Sequence, residues 1–401
     1  MEDKKWDLLA LASIPLMMTL GNSMFIPVLP LIEHEINITS FQSSLIISVY
    51  SITAILCIPV SGYLSDKWGR KKIMVPSLLM VAAGGAVSAF ASWQLDQPYL
   101  LILLGRIVQG VGSAGAFPVV LPTVGDMFKQ EEQVSRGLGI IETANTLGKV
   151  LSPIIGALLA VLVWYMPFMS VPVLSMISVF LVWFLVKVPR TKQKEDKSFS
   201  VFLTGIKKTF LFNGRWLCTV FFIGGILMFV LFGVLFHLSS LLEDQYHLKG
   251  YIKGLLLAVP LLFLCSTSYL SGKLIGENRQ KMRGFILIGA ALTTVSLVFV
   301  REDMTLLWLL TLLSSASIGI GLALPCLDAL ITEGIEKEER GLVTSFYSSM
   351  RFAGVAAGPP ITALLMKHQS SVIYFVLATA SLLIIAAAFV GIRPSKTSQS
   401  P

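Results

Sequence analysis

Five charged side chains lie within long apolar stretches of this 401-residue chain: Arg106, Glu142, Lys149, Asp328 and Arg351. An ionised group in a hydrocarbon-like setting is expensive, so each needs a partner, a wet cavity or a task. A carboxylate in such a setting can take up a proton and release it when its surroundings change. Glu142 is therefore the first candidate proton carrier and Asp328 the second. Glu142 and Lys149 are seven residues apart, which places them on one face of a helix two turns apart. A static ion pair between them fits the same spacing. Arg351, two to three turns into its span, is the expected partner for Asp328. With three cations against two carboxylates, this interior is not built for cations alone.

Other chemistries find little support. His34, His237, His247 and His368 fall in or beside loops without a partnering acid motif, so an embedded enzyme is not expected. No G-x-x-x-x-G-K-[ST] loop is present, which argues against ATP hydrolysis. Cys57, Cys218, Cys265 and Cys326 are scattered through apolar runs and read as small buried hydrophobes. No metal site or cofactor is expected.

The elements that would carry these charges are long and apolar. Of the residues, 55% are hydrophobic and only 13% are charged, against about a quarter charged in soluble domains. Apolar runs long enough to cross a bilayer fall near 8–30, 42–63, 73–92, 98–124, 137–162, 168–188, 216–239, 253–275, 284–301, 305–332, 342–366 and 371–392. The first run lacks a small-residue cleavage site and reads as a retained helix. Lys and Arg crowd the N-terminus, the even-numbered connections and the C-terminus, while the odd-numbered connections hold only Lys249, Lys253, Arg301 and Lys367. This alternation predicts twelve spans with both termini in the cytoplasm. It also makes the net charge of +8 a topology signal rather than a nucleic-acid footprint.

The chain divides near its middle. Residues 1–188 form one expected six-helix bundle and 216–401 a second. The polar linker 189–215 carries Val201, Phe202, Ile206, Phe210 and Leu211 at helical spacing beside Lys207 and Lys208, a pattern that predicts an amphipathic surface helix. Leu121-Pro122, Arg136-Gly137-Leu138 and Pro153 are echoed by Leu324-Pro325, Arg340-Gly341-Leu342 and Pro359 about half a chain later. The expected fold is an all-α membrane protein of two pseudo-symmetric bundles, with a substrate site between them.

The loop after the second run reads Gly62-x-x-x-Asp66-x-x-Gly69-Arg70-Lys71-Lys72. This spacing resembles the signature loop of the major facilitator superfamily. The resemblance implies that Gly62, Asp66, Gly69 and Arg70 form a conformational latch, with Asp126 as a further partner. The second-half counterpart, Gly272 to Arg279, is degenerate. In the fourth run, Gly105-Arg106 through Gln109, Gly110 and Gly112 resembles the motif of proton-coupled facilitators, which implies a proton-coupling role for Arg106. In the fifth, Gly148, Pro153 and Gly156 match the antiporter motif of the twelve-helix drug:proton antiporters, while Ser152 and Ala157 replace two of its glycines.

The function expected is proton-coupled export of drugs or other amphipathic small molecules by alternating access, driven by the proton gradient. The alternatives are an exporter or flippase of a specific anionic, glycolipid or metal-chelate substrate, and a proton-coupled nutrient importer. Asn22, Phe25, Tyr50, Gln109, Lys149, Phe229, Phe236, Tyr347 and Arg351 are the candidate path-lining residues. The expected partners are a small-molecule substrate and the lipid bilayer, with no nucleic acid. The resemblance implies a monomer in the plasma membrane.

Overall fold

A computed structural model describes residues 4–128, 130–187, 199–275, 278–301, 304–334, 337–367 and 370–392. Side chains are described over the same residues except 131, 132, 135, 199–213, 332–334, 337–342 and 370. The described chain contains twelve long helices. They are α1 (Lys5–Ile36), α2 (Ser40–Trp68), α3 (Arg70–Gln94), α4 (Tyr99–Met127), α5 (Glu131–Leu162) and α6 (Met166–Leu185), then α7 (Phe199–Asp244), α8 (Gly250–Ile275), α9 (Arg279–Val298), α10 (Leu306–Gly334), α11 (Lys337–Leu365) and α12 (Ser370–Gly391).

Eleven of these are long and apolar enough to cross a bilayer. The exception is α11, which even beyond its charged first turn carries Arg351 among Ser345, Ser348, Ser349, Gly354, Gly358, Pro359 and Pro360. It packs between α2 and α7 and so needs less lipid-compatible surface. Elsewhere, Leu56, Leu100, Phe184 and Leu307 point outward with 70% or more of their surface exposed. Side chains this apolar and this exposed belong against lipid.

Local sequence explains where helices break and join. In α1 the helix is interrupted at Ile26–Val28, where Pro27 and Pro30 lack N–H donors and disturb the preceding turn. Thr39 and Gln42 form a capping box that starts α2. Gly69 alone separates α2 from α3, at φ +100, a backbone state that only glycine adopts without strain. No proline occurs between 199 and 244. The expected linker helix therefore runs unbroken into the seventh span rather than forming a separate element. Residues 189–198 of the expected linker, and the side chains that defined its amphipathic face, lie outside the described set.

The first bundle is held by α3 against α4 and α6, α2 against α4, and α1 against α5 and α6. The second repeats the scheme, with α9 against α10 and α12, α8 against α10, and α7 against α11 and α12. Gly84 and Gly105 meet across α3 and α4, and Gly289 and Gly319 meet across α9 and α10, so the same close backbone approach occurs once per half. The halves join along two seams, α2 with α11 and α5 with α8. Toward the face opposite the termini they are also tied where the Ser239 hydroxyl donates to the Ile26 carbonyl at 2.8 Å.

Candidate transport path

Arg106 on α4 is fully buried, with 0% of its surface exposed. Its Nε donates to the Ile46 carbonyl at 2.7 Å and one Nη to Gln109 Oε1 at 2.7 Å. The other Nη donates to Asn22 Oδ1. Phe25 and Tyr50 hold the guanidinium between their rings, with centroids 5.0 and 4.6 Å away. The Tyr50 hydroxyl completes the arrangement by donating to Ser113 at 2.7 Å. Among the described residues no carboxylate lies within ion-pair distance of Arg106. It ties α1, α2 and α4 together through neutral acceptors, and Asn22, Phe25, Tyr50 and Gln109 are its cage.

The carboxylates are held differently, one from each half. On α5, Glu142 is half-buried and accepts from the Asn145 amide at 3.2 and 3.3 Å, and Asn145 in turn accepts from Thr19 of α1 at 2.6 Å. On α10, Asp328 faces Arg351 of α11 at 3.5 Å. Both retain water-accessible surface, 33% for the Asp328 side chain and 19% for Arg351. Arg351 also lies 5.6 Å from the centre of the Tyr347 ring.

Lys149 does not form the ion pair with Glu142 that their spacing allows. Asn145, one turn along the helix, takes the Glu142 carboxylate. The Lys149 ammonium is buried and has no hydrogen-bond partner among the described residues. It sits in a cleft whose walls come from both halves: Ser23 and Ile26 of α1, Ser152 and Pro153 of α5, Leu231, Phe232 and Leu235 of α7, and Leu257 and Leu261 of α8. The expected lining residues Phe229 and Phe236 are absent from these walls. Phe236 is only 2% exposed, and Phe232 takes the wall position on α7.

The glycines of α5 set this geometry. A side chain at Gly148 would press on Leu16 and Thr19, and one at Gly156 on the Met24 carbonyl, both on α1. The Pro153 carbonyl meets Gly254 of α8. These residues bring α1, α5 and α8 to backbone contact around Lys149. At the face bearing the termini, Arg70 bridges Asp66 at 2.5 Å and Asp126 at 3.2 Å, and donates to Ser65 at 2.8 Å. Gly62 lies next to the Ser345 hydroxyl of α11, so the loop abuts the seam between the halves.

Sequence reasoning missed a further ion pair. Lys253 was counted among loop cations, yet its side chain is 2% exposed and contacts Glu243 at 2.7 Å. An acid ending one span and a lysine opening the next, across a short turn, was the available signal.

Twelve long helices in two bundles, eleven of them long and apolar enough to cross a bilayer, with a buried lysine beside the cleft at the junction of the halves, define a multi-pass membrane protein. The sequence model of the Major Facilitator Superfamily matches residues 11–359 and again 305–401. The chain belongs to that superfamily, and it is a transporter rather than an enzyme. It is 52% identical to the bacillibactin exporter of Bacillus subtilis (strain 168), over 94% of each chain. It is 25% identical to the class C tetracycline resistance protein of Escherichia coli, over 88% of this chain and 87% of that one. Among solved structures, the human organic anion transporter MFSD10 (TETRAN) matches with a TM-score of 0.75 and 18% identity, covering 96% of this chain and 99% of the other.

Proposed function

We propose that this chain is a proton-coupled exporter of bacillibactin, or of a molecule closely related to it, working by alternating access in the plasma membrane with both termini in the cytoplasm. The observation that carries this reading is the 52% identity to the bacillibactin exporter, sustained over 94% of both chains. The interior fits such a task. Glu142 and Asp328 present one water-accessible carboxylate from each half, and neither is locked in a dry ion pair. A proton entering from outside neutralises one of these carboxylates. Its release to the cytoplasm accompanies the return of the empty carrier.

The test is bacillibactin uptake into inverted membrane vesicles under an imposed proton gradient, with wild type beside Glu142→Gln and Asp328→Asn. Uptake that an uncoupler abolishes, and that at least one variant loses, supports the reading. Uptake that ignores the uncoupler removes proton coupling, and no uptake by folded wild type removes bacillibactin. A second reading, drug export, rests on the tetracycline resistance relative at 25% identity. Tetracycline accumulation in the same vesicles decides it.

A further inference from the structure

Among the five interior charges, all within the described residues, Lys149 is the one whose charged group has no hydrogen-bond or ion-pair partner among the described residues. Arg106 is enclosed by neutral acceptors and two rings, and Arg351 faces Asp328. Glu142 and Asp328 lie within electrostatic range of Lys149. Neither touches it: the Glu142 carboxylate takes the Asn145 amide, and Asp328 takes Arg351. An ammonium offers three donors and accepts nothing. All three donors are here buried without an acceptor among the described residues. A charge left so inside a span is costly unless something arrives to meet it.

The surroundings describe what would arrive. The cleft is almost wholly apolar, with Leu231, Phe232 and Leu257 on one side and Ser23 and Ser152 beside Lys149 on the other, the Ser152 hydroxyl donating to the Lys149 carbonyl at 2.9 Å. We infer that Lys149 is the anchor for an acidic oxygen, a carboxylate or phenolate, carried on an apolar body that lies against Leu231, Phe232 and Leu257. The geometry disfavours a lipophilic cation, which would place like charge on a buried ammonium. Because the walls come from α1 and α5 of one half and α7 and α8 of the other, an anion held here touches both halves at once. Its presence therefore bears directly on the equilibrium between the two open states. The inference rests on the export reading and specifies its substrate class and contact.

The experiment is equilibrium dialysis of the full chain in nanodiscs, comparing wild type, Lys149→Met and Lys149→Arg. The probes are bacillibactin, the lipophilic anion anilinonaphthalene sulfonate and the lipophilic cation tetraphenylphosphonium. Lys149→Met is expected to weaken anion binding by about ten-fold or more. Lys149→Arg, which keeps the charge, is expected to stay within about three-fold, and the cation to bind Lys149→Met no more weakly than wild type. Gel filtration shows whether each variant is folded, and Lys149→Gln, which is polar but uncharged and is expected to lose anion binding in the same way, keeps the test decisive if Lys149→Met is not folded. Wild type that binds the sulfonate but not bacillibactin removes bacillibactin as substrate and leaves the anchor standing if Lys149→Met loses the sulfonate. Equal anion binding by wild type and Lys149→Met, or no anion binding by wild type, overturns the anchor.

Discussion

Lys253 at the start of α8 reaches Glu243 at the end of α7 at 2.7 Å, with both side chains nearly sealed from water. Next to Lys253, Gly254 rests on the Pro153 carbonyl and Ala157 of α5, so the pair stands at the start of the helix that packs against the first half. Removing one member of a buried pair strands the other, at a cost of about 3–5 kcal/mol, whereas replacing both with apolar groups is often neutral. Glu243→Gln is expected to lower the melting temperature in detergent by several degrees. The double variant Glu243→Leu with Lys253→Met, apolar at both positions, is expected to recover most of that loss. A single variant that melts like wild type would show that the pair does not support the packing at this face.

Arg106 holds three helices through a fan of donors that only a guanidinium supplies. Lysine keeps the charge but presents a single point to Ile46, Asn22 and Gln109, which a planar fork reaches together. Each buried polar group left unmet costs about 1–3 kcal/mol. Arg106→Lys is therefore expected to destabilise the first bundle and abolish transport despite conserving charge. Thermal melting and the vesicle assay check it. Transport near wild-type rates would mean that the charge, rather than the fan of hydrogen bonds, is what matters.

Two glycines on α5 allow a paired comparison. At Gly156 a methyl group would collide with the Met24 carbonyl, whereas at Gly139 nothing lies within 4 Å. Gly156→Ala is expected to force α1 and α5 apart and lower the melting temperature. Gly139→Ala is expected to be neutral or to stabilise by up to about 1 kcal/mol, because alanine is the better helix former. Melting curves of the two variants decide the point, and equal behaviour would sink the close-packing argument.

The sequence made some of this legible and hid the rest for definite reasons. The spans, the half-chain echo and the Asp66–Arg70 pair are local patterns, readable from hydropathy and four-residue spacing. The seven-residue spacing placed Glu142 and Lys149 on one face of α5. It did not show that Asn145, fixed by Thr19 from another helix, would take the carboxylate first. Lys253 reads as a loop cation because hydropathy sees a charge near a helix end, not the packing and the Glu243 carboxylate that enclose it. The cleft residues Ser23 and Phe232 depend on how α1 and α7 are rotated, which single-helix periodicity leaves open.

Arg70 bridges Asp66 and Asp126 at the face that carries the termini, and Gly69 makes the turn that puts it there. Asp66 is 58% exposed and Asp126 33%, so the bridges are screened and worth about 0–1 kcal/mol to folding. Their significance lies in where they sit, next to the approach of Gly62 to Ser345 on α11. Arg70→Ala is expected to change the melting temperature little and to cut transport strongly, because it alters the balance between conformations more than the stability of either. Gly69→Ala adds a strained backbone costing about 1–3 kcal/mol, so it is expected to lower both stability and transport. Melting and vesicle uptake measured on the same preparations separate the two. An Arg70→Ala protein that transports at wild-type rates would remove the latch role from this loop.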